Sequence, residues 1–168
     1  LLILNNGEII EESLDIILWA LKNSKNNCLD KYYKKSSQKE ILEIIKENDQ
    51  IFKYHLDRFK YHTRFNANEK EYHFFEAFKC IKKWNFLLKK YPNNKWLIGG
   101  KESIADWCLW PFVRQFKIAC ESQKIYDDFP EPLNLWFDYF AKHKNINEVM
   151  HKYSNWETLS EAYIFPNN

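Results

Sequence analysis

The chain has 168 residues, 45% apolar and 18% aromatic, and its 25 basic and 23 acidic residues give a net charge of +2. That length suits one compact unit, or one domain plus a remnant of another, and three glycines and five prolines leave little material for an all-β fold. The interspersed charge excludes the basic footprint of a nucleic-acid binder and any membrane patch, and no stretch reaches membrane-spanning length without charge.

The first residue is Leu1 and the only methionine is Met150, so further residues are expected upstream. The opening Leu-Leu-Ile-Leu is too short for a signal peptide and lacks the basic flank. It fits the tail of a strand. Asn5-Asn6-Gly7 supplies a turn and Glu8-Ile9-Ile10-Glu11 a second short strand. After Glu12-Ser13, the spacing of Leu14, Ile17, Leu18 and Leu21 predicts a helix. Residues 1–22 are therefore an α/β remnant and 23–37 a polar linker with room for one helical turn.

From residue 38 onward the pattern is helical. Ile41, Ile44, Ile45, Ile51, Phe52, Leu56 and Phe59 mark one amphipathic helix from Gln38 to about Tyr61. A second is expected from about Asn68 to Lys90, with Phe74, Phe75, Phe78, Ile81 and Leu88 inward and Tyr91-Pro92-Asn93-Asn94 as its stop. Gly99-Gly100 turns the chain into Ser103-x-x-Asp106, a capping box. The helix behind it carries Trp107, Leu109, Trp110, Phe112, Val113 and Phe116 in every direction, as a buried central helix does. Pro111 inside it predicts a kink, and Arg114 is expected to pair with a buried acid. Pro130 and Pro132 bracket the start of a helix burying Leu133, Trp136, Phe137 and Phe140. Asn145-x-x-Glu148 caps a short last one. The helix count suits a bundle over residues 38–168.

Chemistry is sparse. Cys28, Cys80, Cys108 and Cys120 form no C-x-x-C and no disulfide framework, which points to a reducing, cytoplasmic compartment. The histidines at 55, 62, 73, 143 and 151 lack zinc spacing, so no metal is expected. Mixed basic and aromatic runs, such as Tyr32-Tyr33-Lys34-Lys35, occur in single-strand binders, but in a chain this evenly charged they suit solvated faces. Glu12-Ser13 at a helix start is ordinarily a cap matched to the helix dipole. A free helix N-terminus also binds anions.

Leu2-Ile3-Leu4, Asn6-Gly7, Ile10, Glu12-Ser13, Ile16 and Trp19-Ala20-Leu21 resemble the second half of the thioredoxin-like domain of a glutathione transferase. Ser103-x-x-Asp106, Trp110-Pro111-Phe112-Val113-Arg114-Gln115-Phe116 and His55-Leu56-Asp57-Arg58-Phe59-Lys60-Tyr61 resemble a bacterial branch of that superfamily. The resemblance implies a mainly α fold, with the family's C-terminal helical bundle behind the β-hairpin and helix of a partial thioredoxin-like domain. It implies glutathione as co-substrate, its γ-glutamyl end held by Glu12 and Ser13, and a small electrophile or disulfide as the other reactant. Tyr54, Arg58 and Tyr61, on the helix that flanks the family's electrophile pocket, become candidate pocket residues. So does Trp110, for which a place in the core is the competing reading. The resemblance further implies conjugation or glutathione-dependent thiol transfer, and a homodimer when intact. No catalytic residue falls in this sequence. The thiol-activating group is expected upstream of Leu1, and the chain alone is expected to be weak or inactive. The alternative is a non-catalytic dimerisation or scaffold domain of the same lineage.

Overall fold

A computed structural model describes residues 1–25, 28–90, 95–125, 129–153 and 155. Strands β1 (Leu2–Ile3) and β2 (Ile9–Ile10) pair antiparallel, with Leu2 opposite Ile10 and Ile3 opposite Ile9. Their turn closes through Leu4 N–H to the Glu8 carbonyl (2.8 Å) and Gly7 N–H to the Leu4 carbonyl (2.9 Å). Gly7 sits at φ +86°, a backbone state glycine adopts without the Cβ clash other residues meet. Helix α1 (Ser13–Lys22) follows, and Leu14, Ile17, Leu18 and Leu21 rest on the bundle as partly buried residues.

The segment between this unit and the bundle holds more order than one turn. It contains α2 (Leu29–Tyr32) and a 3-10 turn, Lys35–Ser37. The long predicted helix is present as α3 (Gln38–Glu47), a π-helical turn (Asn48–Phe52) and α4 (Lys53–Lys60), running without a break. Buried positions along it are Ile41, Ile44, Ile45, Asn48, Phe52, Leu56 and Phe59, and across the π turn, from Ile44 to Leu56, they include a run spaced by four. On an α-helix that spacing drifts by about 40° per step. The wider π turn absorbs the drift and keeps the stripe facing inward. It also rotates Ile51 outward, where 46% of it is exposed, contrary to its expected place on the apolar face.

Helix α5 (Lys70–Lys89) packs antiparallel to α4 after two 3-10 turns, His62–Arg64 and Ala67–Glu69. Its stripe is Phe74, Ala77, Ile81, Trp84 and Leu88. Phe75 lies outside that arc and is 59% exposed, so its expected inward position is corrected; it only edges against Phe74. The expected stop at 91–94 lies outside the described residues, as does nearly everything after Tyr153.

Helix α6 (Ile104–Ser122) runs through the middle. Its Phe116 ring lies within 5.6 Å of Phe52 and Phe59 and stacks on Phe74 at 5.7 Å, forming the aromatic centre of the core. The helix is not apolar all round in its packing. Pro111 and Ile118 are exposed and Arg114 and Gln115 half-buried on one side. Because Arg114 sits on that wetter side, it needs no buried acid, and it pairs with none among the described residues. Helices α7 (Glu131–Ala141) and α8 (Lys144–Val149) complete the bundle. The α8 cap is His143, whose ring Nδ1 accepts the Asn145 N–H at 3.2 Å, rather than Asn145 itself.

Candidate functional site

Three groups of residues carry chemistry, and the first lies where the hairpin meets α1. Glu12 is the N-cap of α1, with extended backbone (φ −83°, ψ 138°), and its side chain makes no capping hydrogen bond. Ser13 is the first helical residue. Both side chains are exposed. β2 leads into this end of the helix through Glu11 and Glu12. Beside Glu12 is an open concavity lined by Glu8, Ile9, Ile10, Glu11, Glu12 and Asp15. Four carboxylates in that space favour a cationic group. The first-turn N–H groups of α1 favour an anion.

Along α4 the other candidates are engaged with one another. The Arg58 guanidinium lies 3.5 Å from the centre of the Tyr54 ring and 4.8 Å from that of Phe65. Tyr61 has the charged heads of Lys60 and Arg64 each 4.7 Å from its ring centre. These stacks are of the kind worth about 0.5–1 kcal/mol on a surface. Trp110 belongs to the core. It is 2% exposed, stacks on Phe137 and donates its indole N–H to the Phe137 carbonyl at 3.0 Å. A side chain so enclosed presents nothing to a substrate in this structure.

The Ser103–Asp106 box closes, and it does more than cap α6. Asp106 is wholly buried. Its carboxylate accepts from Leu97 N–H (3.0 Å), Ser103 N–H (2.9 Å), the Ser103 hydroxyl (3.0 Å) and the Trp136 indole (3.0 Å). Burial pushes its pKa up to about 6 against the pull of those four donors. The carboxylate thus ties the loop before α6, the helix itself and α7 together. Glu102, standing where a hydrophobic staple would have its apolar residue, instead accepts the Trp107 indole N–H at 2.6 Å.

No thiol is poised as a nucleophile among the groups whose titration is shifted. Burial raises Cys80 to about 11 and Cys108 to about 12, and thiols so raised are inert at neutral pH. Among the described residues no three His, Cys, Asp or Glu side chains converge as metal ligands would, and no helix is long and apolar enough to cross a membrane.

One pairing gave no signal in the sequence. His55 on α4 and His73 on α5 are 18 positions apart, yet their Nδ1 atoms meet at 2.8 Å. His73 is buried, and its Nε2 lies 3.5 Å from the Glu69 carboxylate. Only the antiparallel packing of the two helices brings the rings together.

A mainly helical bundle entered through a hairpin and one exposed helix start defines the class: a C-terminal helical domain with a small α/β unit before it. A family model described as glutathione S-transferase, C-terminal domain, matches residues 52–152. The match covers more than half of the chain, and the chain belongs to that family. No curated protein and no solved structure was found to match it.

Proposed function

We propose that this glutathione-transferase-family protein binds glutathione at the start of α1 and serves glutathione conjugation or glutathione-dependent thiol transfer. The observation that carries the reading is the free, exposed Glu12–Ser13 pair at an uncapped helix start, beside a concavity. The γ-glutamyl end of glutathione bears an ammonium and a carboxylate on one carbon. Glu12 accepts from the ammonium, aided by the field of Glu8, Glu11 and Asp15. The Ser13 hydroxyl and the first N–H groups of α1 donate to the carboxylate. Residues 1–22 act as the glutathione-binding unit, 23–37 as the linker, and 38–168 as the helical domain.

In that chemistry the glutathione thiol is activated and attacks an electrophile or a disulfide. Exposed Tyr54, half-buried Arg58 on α4 and half-buried Tyr61 at its C-cap supply the wall toward the second reactant. A cytoplasmic homodimer is the assembly that the family likeness favours.

Calorimetric titration with glutathione tests the site. Ser13→Ala and Glu12→Gln are each expected to weaken binding about tenfold, the loss of one charge-assisted hydrogen bond, with the far-ultraviolet circular dichroism unchanged. Affinity for glutathione that is equal in the parent and both variants sinks the assignment. The second reading, a non-catalytic dimerisation domain, is favoured by the raised thiols and by the exposed Phe75, Phe86 and Leu135. It predicts a stable dimer by light scattering with no heat on adding glutathione.

A further inference from the structure

A second cleft shares no residue with the start of α1. It lies between the segment that leads into α3 and the loop that leads into α6. Its walls are Lys31, Lys34, Ser36 and Ser37 on one side and Gly99, Lys101 and Glu102 on the other, with Ile41 and Ile98 forming an apolar floor. The volume is about 150 Å³. Sites for drug-sized molecules run to about 300–1,000 Å³, so this one admits a small ion and its first waters rather than a tripeptide.

The charge in the cleft is unbalanced. Three lysines face one carboxylate, and that carboxylate is occupied by the Trp107 indole. Lys31 leans on the Tyr32 ring, its ammonium 4.6 Å from the ring centre. Lys34 and Lys101 have no carboxylate partner among the described residues, and the hydroxyls of Ser36 and Ser37 make no hydrogen bond there either. The local excess of two positive charges equals the net charge of the entire chain. Some lysines elsewhere hold a carboxylate, as Lys53 does Asp49, Lys79 Glu76, Lys83 Glu47 and Lys144 Glu148; what sets the cleft apart is that three lysines converge on one concavity. Asp106 already fills the start of α6, so the nearby donors left open are those of the lysines and the serines before α3.

The cleft also has a fixed shape. Gly99 and Gly100 both adopt left-handed backbone, φ +62° and +67°. A Cβ on Gly99 would come within 3.7 Å of the Ser37 hydroxyl, so the two walls approach closely there. Leu97, next to the floor residue Ile98, is tied by its N–H to the buried Asp106 carboxylate. Buried Ile41 and Ile98 and that anchored loop fix the floor and back of the cleft.

We propose that this cleft binds a phosphate dianion, either inorganic phosphate or the phosphate of a small phosphomonoester. Lys34 and Lys101 clamp it from opposite walls, Lys31 adds charge at the rim, and Ser36 and Ser37 donate hydroxyl hydrogen bonds. A dianion cancels the local excess of two. Phosphate offers four oxygens to donors converging from both walls, which neither chloride nor a monocarboxylate can match.

The test is calorimetry at constant ionic strength, with inorganic phosphate and glycerol 3-phosphate as separate titrants. The expected result is saturable heat in the parent protein and at least tenfold weaker binding in K34Q/K101Q. Tighter binding of glycerol 3-phosphate assigns the site to phosphomonoesters, and tighter binding of inorganic phosphate to the free ion. A control variant, K46Q/K152Q, removes the same charge from exposed lysines elsewhere and is expected to bind as the parent does. No saturable heat with either titrant overturns the proposal, as does an equal loss in the two double variants. All four lysines are exposed, so both variants are expected to fold, and their melting curves provide the check.

Discussion

The hairpin-and-helix unit and the bundle bury their apolar residues very differently. No residue of α1 is fully buried, and Ile3 and Ile9 of the hairpin are more than half exposed. In the bundle, Phe52, Phe59, Phe116 and Trp84 are all sealed from solvent. At about 25 cal/mol per Å² of apolar surface removed from water, the bundle carries most of the stability. Among the described residues, α1 of the unit with the candidate glutathione site packs on the core through the partly buried Leu14, Ile17, Leu18 and Leu21. An exposed helix held by few buried contacts is expected to open locally at low cost. The sealed bundle supplies the rigid base.

The largest effect that would separate the two regions is Asp106→Ala. It strands four donors from three parts of the bundle, each buried donor costing about 1–3 kcal/mol, and a total loss of about 4 kcal/mol is expected in urea unfolding. A loss under about 1 kcal/mol would mean that the loop and α7 do not depend on this carboxylate. Leu18→Ala comes next, at about 1–2 kcal/mol, because a half-buried leucine leaves less of a cavity than a core one. Hydrogen exchange sharpens the contrast further. The amides of α1 are expected to exchange by local opening well before those of α6. Equal protection in both helices would show one cooperative unit and erase the comparison.

The smallest effect concerns pH. Burial, then the neighbouring His73, lower the pKa of His55, with Arg58 and Lys79 acting the same way and Glu76 opposing. The folded form therefore holds fewer protons than the unfolded chain, whose histidines titrate near about 6.5. Stability should fall as pH drops through about 6.5, because protonation favours the unfolded chain. Asp106 contributes with the opposite sign. Its folded pKa of about 6 exceeds the unfolded value near about 3.9, so its stabilising contribution is full below the lower value and is lost as pH rises to the higher. That contribution is common to the parent and to His55→Asn, so the difference between their stability–pH curves isolates the histidine pair. The variant is expected to lose less stability between pH 8 and 5, and parallel curves would remove any role for the pair.

Local rules accounted for much of the fold. The Asn6-Gly7 turn, the box at Ser103 and Asp106 and the apolar stripes of α3 and α5 follow from turn chemistry, capping and helical periodicity. These depend on residues within one or two turns of each other. Cap identity was less legible. Asn145 and His143 are both competent at the start of α8, and the chain direction out of α7 selects His143. Family membership was likewise readable from short motifs spread along the chain.

What the amino-acid order determined by itself was the succession of elements and the kind of bundle they form, since hydrophobic spacing and helix ends are properties of neighbours. The tertiary structure decided which arc of each helix lies against the core. Phe75 and Ile51 face solvent and Trp110 is enclosed, because packing selects among apolar positions that periodicity alone leaves equivalent. It also decided which distant polar groups meet: His55 with His73, Asp106 with Trp136, and lysines 34 and 101 across one cleft. Such meetings depend on how helices are stacked in space, and that information is held by the core as a whole rather than by any local run of sequence.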